Sequence, residues 1–165
     1  SKESVDLIRK VKRLRDIDQK EEIKDIDLKS AIDEVISEHK IQLDQNDIDI
    51  ETQQLDYKVR GGSLLTELFS NLIENSIKHS GCNKICIRAR DEGDECIVTV
   101  EDDGVGISDE LKDKIFVKRY RREGSEGSGL GLYLVKEIAE NYEGNIKLKG
   151  SELGGARFDI ILKKA

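Results

Sequence analysis

The chain has 165 residues, 38% of them charged and 36% hydrophobic, with a formal net charge of -7. That is enough for one compact domain with a real core, and its acidic balance makes free nucleic acid and anionic membrane surfaces poor partners. No apolar run approaches the roughly 20 residues a membrane-spanning helix needs, and the opening Ser1-Lys2-Glu3 begins no signal-peptide apolar region.

Residues 2–21 read as a helix. Leu7, Val11 and Leu14 follow the spacing of a packing seam, Val5, Ile8 and Ile17 widen the stripe, and charge fills the opposite face. Such a helix needs a partner: its own domain, or a longer bundle of which it is the end. Position 1 is not Met, which suggests a processed or excised chain. Residues 28–39 read as a second amphipathic helix, with Leu28, Ile32, Val35 and Ile36 on one face. Residues 48–50 and 55–59 alternate as half-buried strands, the second ended by Gly61-Gly62. Ser63 is placed to cap a helix over 63–79 with Leu64, Leu65, Leu68, Phe69, Leu72, Ile73 and Ile77 on its apolar face.

A hairpin follows. Ile85, Ile87 and Ala89 alternate with polar residues, 91–94 turn, and 97–100 return. A short helix is expected over 108–114 from Ser108, then a basic, glycine-rich loop and a helix from Leu130 to Tyr142. Strands at 146–148 and 156–162 finish the chain. The pattern predicts an α+β fold: a two-layer sandwich whose mixed, mostly antiparallel sheet is covered on one face by helices. The three cysteines, Cys82, Cys86 and Cys96, form no CxxC and lie in or beside strand-like text. They read as buried free thiols in a reducing compartment, without disulfide or zinc.

Three segments carry chemistry together. Asp102-Asp103-Gly104-Val105-Gly106 follows a strand. A carboxylate there can accept from an exocyclic amine such as adenine N6, and the glycines let backbone approach a flat ring. Gly124 to Leu132 is rich in glycine and runs into an apolar-faced helix. Freed backbone N–H groups and a helix N-terminus make a phosphate cradle. No Gly-Lys-Ser/Thr follows, so this is no P-loop, and glycines at 127, 129 and 131 do not fit the dinucleotide fingerprint. Beside it lie Lys112, Lys114, Lys118, Arg119, Arg121 and Arg122, the densest basic cluster of the chain. In the third segment, Glu67, Asn71, Asn75 and Lys78 recur on one helix face, a set suited to a hydrated hard cation and phosphate oxygens.

Taken in chain order, the Glu67–Lys78 face, the Asp102–Gly106 segment and the glycine-rich stretch resemble the N, G1 and G2 boxes of the histidine-kinase branch of the GHKL ATPases, and residues 115–121 resemble the intervening F box. The resemblance covers roughly residues 25 to 163 and implies the Bergerat-type ATP-binding fold, with ATP and Mg²⁺ as cofactors. It implies that Asn71 holds Mg²⁺, that Asn75 and Lys78 contact phosphates, and that His79 lies by the adenine or ribose. Asp102 would read adenine N6, with Gly104 and Gly106 beneath the ring. Gly127, Gly129 and Gly131, with Leu130 and Leu132, would form the lid hinge and helix start. Arg119 or Arg121 would reach the γ-phosphate, and Glu67 stands where the family places a polarising base. A ligand-ordered lid is expected over 115–129. Two positions depart from the pattern: Gly62 stands where Asp is frequent, and Val117-Lys118 where an acidic residue is frequent.

The only histidines are His39 and His79, and the chain has no proline, so neither sits in the family's H box. His39 reads as an exposed helical residue. The resemblance therefore implies residues 1–24 as the end of a dimerisation and phosphotransfer helix with its linker, and 25–165 as the catalytic domain. The partners implied are that histidine-bearing module, in cis or in trans, and a response regulator receiver domain. The parent would be a homodimer working in the cytoplasm, anchored to a membrane or not, with no nucleic acid and no membrane contact through this segment. Two other readings stay open: a stand-alone GHKL serine kinase of the anti-sigma type, and a nucleotide-binding regulatory module without catalysis.

Overall fold

The computed structural model describes residues 2–18, 21–118, 120 and 129–165. The chain runs α1 (Lys2–Asp18), β1 (Lys24–Asp27), α2 (Leu28–Glu38), α3 (Lys40–Gln45), β2 (Asp49–Gln53), β3 (Lys58–Gly61), α4 (Leu65–His79), β4 (Lys84–Glu92), β5 (Glu95–Asp102), α5 (Gly131–Asn141), β6 (Asn145–Gly150) and β7 (Ala156–Lys163). A single 3₁₀ turn spans Asp109–Leu111. Five strands form one sheet in the order β2-β4-β5-β7-β6, in which only β2 and β4 run parallel. β1 and β3 form a separate antiparallel pair, joined to the end of β7 by a bridge between Val59 and Lys164.

Pleat and register sort the residues into two faces. Ile87, Val100, Phe158 and Leu148 stand side by side across four strands. They face α2, α4 and α5, whose Ile32, Leu68, Leu72, Leu134 and Ile138 are fully buried against them. One residue along, Arg88, Thr99, Asp159 and Lys147 form a polar row on the opposite side. That face is knitted by charge. Arg157 holds Asp159 through two hydrogen bonds of 2.9 and 3.1 Å, Thr99 donates to the same carboxylate at 2.8 Å, and Arg88 and Ser151 donate to Glu101. The expected two-layer α+β sandwich is the architecture found.

Several local expectations are corrected. Ser63 does not cap α4: its N–H, with that of Leu64, sits at the helix start, where Glu21 accepts from Ser63 and Tyr142 Oη from Leu64 at 3.1 Å. Tyr142 in turn donates to Glu21 at 3.0 Å, and the Glu21 carboxylate fills the space a Cβ on Gly62 would need. The helix thus takes its N-terminal carboxylate from a residue 42 positions away. The expected helix at 108–114 shrinks to the 3₁₀ turn, the strand at 55–59 starts at Lys58 and includes Gly61, and β1 and α3 had no expectation. On α1 the stripe is narrower than its pattern suggested, since Val5 and Ile8 are 68% and 62% exposed, while Leu14 and Ile17 pack on the core.

All three cysteines are free and buried. Burial pushes the Cys96 thiol up to about 11. At about pH 8 the folded chain should therefore leave Cys96 unalkylated by iodoacetamide over a period in which denatured chain reacts fully. Peptide mass spectrometry checks this, and rapid labelling of Cys96 in the native chain would contradict the packing.

Candidate nucleotide site

The end of β5 delivers Asp102, 1% exposed, beneath the C-terminal half of α4. Its carboxylate is an acceptor with three donors around it. Oδ1 accepts from the Gly104 N–H at 3.0 Å and the Ala156 N–H at 3.2 Å, and Oδ2 accepts from Ser76 Oγ at 2.9 Å. Oδ2 carries fewer of these bonds and is the oxygen with acceptor capacity left for another donor. The following loop is held against α4, since Val105 N–H donates to the Ser80 carbonyl at 2.8 Å.

Two glycines here are matters of space. A Cβ on Gly104 would lie 2.2 Å from the Ser80 carbonyl oxygen, so its backbone approaches α4 rather than only a ligand ring. A Cβ on Gly155 would lie 2.2 Å from Asp102 Oδ1, and the Gly155 N–H donates to the Asp102 carbonyl at 3.1 Å.

Further up α4, Asn71 is 3% exposed. Its Nδ2 donates to the Glu67 carbonyl at 2.8 Å, which fixes the amide's orientation, and leaves Oδ1 buried without a hydrogen-bond partner. That oxygen faces the first residue of α5, 3.3 Å from where a Cβ on Gly131 would be. An orphaned buried carbonyl oxygen costs about 1–3 kcal/mol and calls for a partner. A hard cation is a fitting one, so Asn71 passes the chemical test for a Mg²⁺ ligand. Asn75, Lys78 and His79 continue the helix toward its C-terminus, with Lys78 exposed and the other two half-buried.

Charge from α1 covers this face. Arg9 donates to Glu67 Oε1 at 2.7 Å and lies 3.5 Å from Glu74 Oε1. Lys10 lies 3.1 Å from Asp6 and 3.8 Å from Glu74. Burial would raise the Glu74 carboxyl, but the hydrogen bond from His39 and the charges of Lys10, Arg9 and Lys78 hold it below the usual range. His39 is not the exposed residue its sequence suggested: it is 6% exposed, its Nδ1 donates to the Val35 carbonyl at 2.9 Å, and Nε2 lies 3.3 Å from Ser70 Oγ. The hydrogen bond with Glu74 raises its pKa.

Before the glycine-rich stretch, Ile115 is buried and Phe116 packs edge-on against Phe158 at 6.2 Å. Lys118 lies 5.8 Å over the Tyr133 ring of α5. Arg119, Arg121 and Gly127, and with them most of the lid expected over 115–129, lie outside the described residues. Gly129 takes a φ of 73°, Gly131 begins α5 and Leu132 is half-buried. Leu130 is fully buried, and its carbonyl accepts from the Leu134 N–H at 2.8 Å in the first turn of α5. Gly106 takes a φ of 72° and lies against Gly154 and Gly155.

Asp102 and the start of α5 thus both meet the α4 face, through Ser76 and Asn71, and residues 62–165 match the family of histidine kinase-, DNA gyrase B- and HSP90-like ATPases. The chain belongs to this ATPase family. The sensor-like histidine kinase SenX3 of Mycobacterium tuberculosis is 30% identical over 158 residues, which is 91% of this chain and 38% of SenX3. The alginate biosynthesis sensor protein KinB of Pseudomonas aeruginosa is 37% identical over 102 residues, 59% of this chain and 17% of KinB. The chain therefore spans well under half the length of these curated relatives. The catalytic domain of histidine kinase ThkA superposes with a TM-score of 0.76 at 28% identity, over 87% of this chain and 97% of that one. The ATP-binding domain of PrrB from Mycobacterium tuberculosis shares the fold, with a TM-score of 0.73 at 22% identity over 88% of this chain and 99% of that one.

Within this ATPase domain, sequence reasoning missed Ser76, Ser80 and Gly155, which hold Asp102 and its loop. Ser76 stood beside Asn75 in the sequence and was the one available signal; Gly155 reads as an ordinary turn glycine until the Asp102 carboxylate is seen against it. Gly155→Ala is expected to destabilise the domain by about 3 kcal/mol, because the intruding methyl meets backbone and a fixed carboxylate. Urea unfolding measures it, and an unchanged midpoint would contradict the contact. Among the described residues no helix is long and apolar enough to cross a membrane.

Proposed function

We propose that this chain binds Mg-ATP and, in the intact protein, transfers the γ-phosphoryl group to a histidine on a dimerisation and phosphotransfer module, for relay to a response regulator receiver domain. The observation that carries the reading is the pair of acceptors held on one helix. Ser76 fixes the Asp102 carboxylate at one end, and the orphaned Asn71 oxygen waits nearer the other. Asn71 and Ser76 stand five residues apart on α4, a rise of about 7.5 Å, which suits a ribose between base and phosphates. The ATPase family and the likeness to the ThkA catalytic domain support the same class of chemistry.

In this reading Asp102 accepts the adenine N6 hydrogen, Gly104 and Gly106 bring backbone to the ring, and His79 borders the adenine or ribose. Asn75 and Lys78 take phosphate oxygens, and Gly127, Gly129, Leu130, Gly131 and Leu132 shape the lid hinge and phosphate-facing helix start. Asn71 would hold Mg²⁺, which neutralises phosphate charge when bound. Phosphoryl transfer depends chiefly on positioning and charge neutralisation. An imidazole nitrogen attacks the γ-phosphorus, the bond to the bridging oxygen breaks, and ADP leaves. Glu67 accepts the proton from the other imidazole nitrogen, and Arg119 or Arg121 steadies the transferring group. Neither of the chain's own histidines serves as acceptor, since His39 is buried and His79 lies on α4. Residues 1–24 are the end of the phosphotransfer helix and its linker, residues 25–165 are the catalytic domain, and the parent acts as a homodimer in the cytoplasm.

The test is to incubate the chain with γ-labelled Mg-ATP, alone and with a histidine-bearing helical hairpin from its parent. The reading predicts no label on the chain alone, and acid-labile, alkali-stable label on the hairpin. Acid-stable label on a serine or threonine of a partner would instead establish the serine-kinase reading.

A further inference from the structure

The cradle around Asn71 already holds a cation, and it belongs to the chain. Lys10 is 5% exposed, which is unusual for a lysine. Its ammonium lies 3.1 Å from Asp6 Oδ2, 3.8 Å from Glu74 Oε2, and 3.5 Å from the same point beside Gly131 that Asn71 Oδ1 approaches to 3.3 Å. These three oxygens, Asp6 Oδ2, Asn71 Oδ1 and Glu74 Oε2, are buried and without a well-formed hydrogen bond. An oxygen-lined pocket around a point charge is the environment a hard divalent cation takes. The preceding residue, Arg9, donates to Glu67 Oε1 at 2.7 Å.

We propose that α1 is an intramolecular competitor of Mg-ATP, with the Lys10 ammonium occupying the metal's place beside Asn71 and Arg9 engaging Glu67. This rests on the nucleotide reading above. A divalent ion and a lysine ammonium repel each other at such range, so metal-bound phosphates and docked α1 exclude one another. The helix is suited to leave. Its outward Val5 and Ile8 contribute nothing to docking, Leu7 and Val11 are only half-buried, Leu14 and Ile17 pack on the core, and its polar ties to α4 are the ion pairs of Arg9, Lys10 and Arg13 with Glu67 and Glu74. Nucleotide binding and release of α1 are then one linked equilibrium, and each weakens the other by the same factor.

The test titrates Mg-ATP calorimetrically into the full chain and into Lys10→Gln and Arg9→Gln, with ATP in EDTA alongside. Lys10→Gln is expected to tighten Mg-ATP binding about ten-fold, as removal of a competing docked state does. Its effect on metal-free ATP should be smaller, and Arg9→Gln should shift Mg-ATP binding in the same direction. Amide hydrogen exchange across residues 2–18 should quicken when Mg-ATP saturates the unaltered chain. Unchanged affinity, weaker affinity (Lys10 then being a phosphate contact), or undiminished protection of α1 at saturation would each overturn the competition while leaving the nucleotide site standing. Absence of binding by all three chains would instead sink the nucleotide reading, and the competition with it.

Discussion

Asp102→Asn should weaken ATP binding by about 100-fold, a loss in the range expected for a charge-assisted hydrogen bond plus the mispairing it leaves. The carboxylate is surrounded by donors: two backbone N–H groups at Oδ1 and the Ser76 hydroxyl at Oδ2. An amide must turn its NH₂ toward one side. The backbone donors cannot rotate, whereas the Ser76 hydroxyl can turn and accept, so the NH₂ settles where Oδ2 was. That is the side whose oxygen keeps a lone pair for the base. A donor then faces the adenine N6 amine, which also donates, while the carbonyl O6 of guanine becomes the better match. The variant should therefore lose ATP and move toward GTP, with a folding cost of about 1 kcal/mol. Calorimetry with both nucleotides, beside thermal melting, separates these effects. Undiminished ATP binding in Asp102→Asn would remove Asp102 from the site.

Asn71→Leu is expected to abolish the dependence of ATP affinity on Mg²⁺ and to lower phosphoryl transfer at least about 100-fold, while leaving the free domain as stable as before or more so. The stability half follows from the orphaned oxygen. A buried acceptor without a partner costs about 1–3 kcal/mol, and replacing it by an apolar group of similar size removes that cost. Leucine is also the better helix former. Against this stands one lost bond from Nδ2 to the Glu67 carbonyl. A residue that costs stability in the empty chain and is needed only with ligand present is what a ligand-holding role entails. Melting curves and titrations with and without Mg²⁺ measure both halves. A marked drop in stability with magnesium dependence intact would make Asn71 a structural residue.

The core and the α4 placement of the candidate site residues were legible because short-range periodicity decided them. α4 carries Leu65, Leu68, Leu72 and Ile73 inward and Glu67, Asn71, Asn75 and Lys78 on another face, and both sets repeat at helical spacing. The hairpin of β4 and β5 alternates with period two, and its register in the structure keeps Ile85, Ile87 and Ala89 inward. β1 escaped notice because its residues are mostly exposed and follow no alternation, and α3 because it is six residues long. His39 was misjudged as exposed for a related reason. Nothing on its own helix marks it as buried; Glu74 and Ser70 of α4, which cover it, are far away in sequence. Glu21 at the start of α4, Gly155 under Asp102 and Lys10 beside Asn71 belong to the same class. Each is defined by a partner across the fold, and composition and spacing carry no trace of such pairings.

The most direct test of the nucleotide site is calorimetric titration of ATP and of GTP into the unaltered chain, with and without Mg²⁺. Binding of ATP that exceeds GTP by at least ten-fold, and that tightens with Mg²⁺, is the predicted result, since Asp102 offers only acceptors to the base and Asn71 an unpaired oxygen to the metal. Equal heats for the two nucleotides, or no heat for either, would contradict the adenine-reading site.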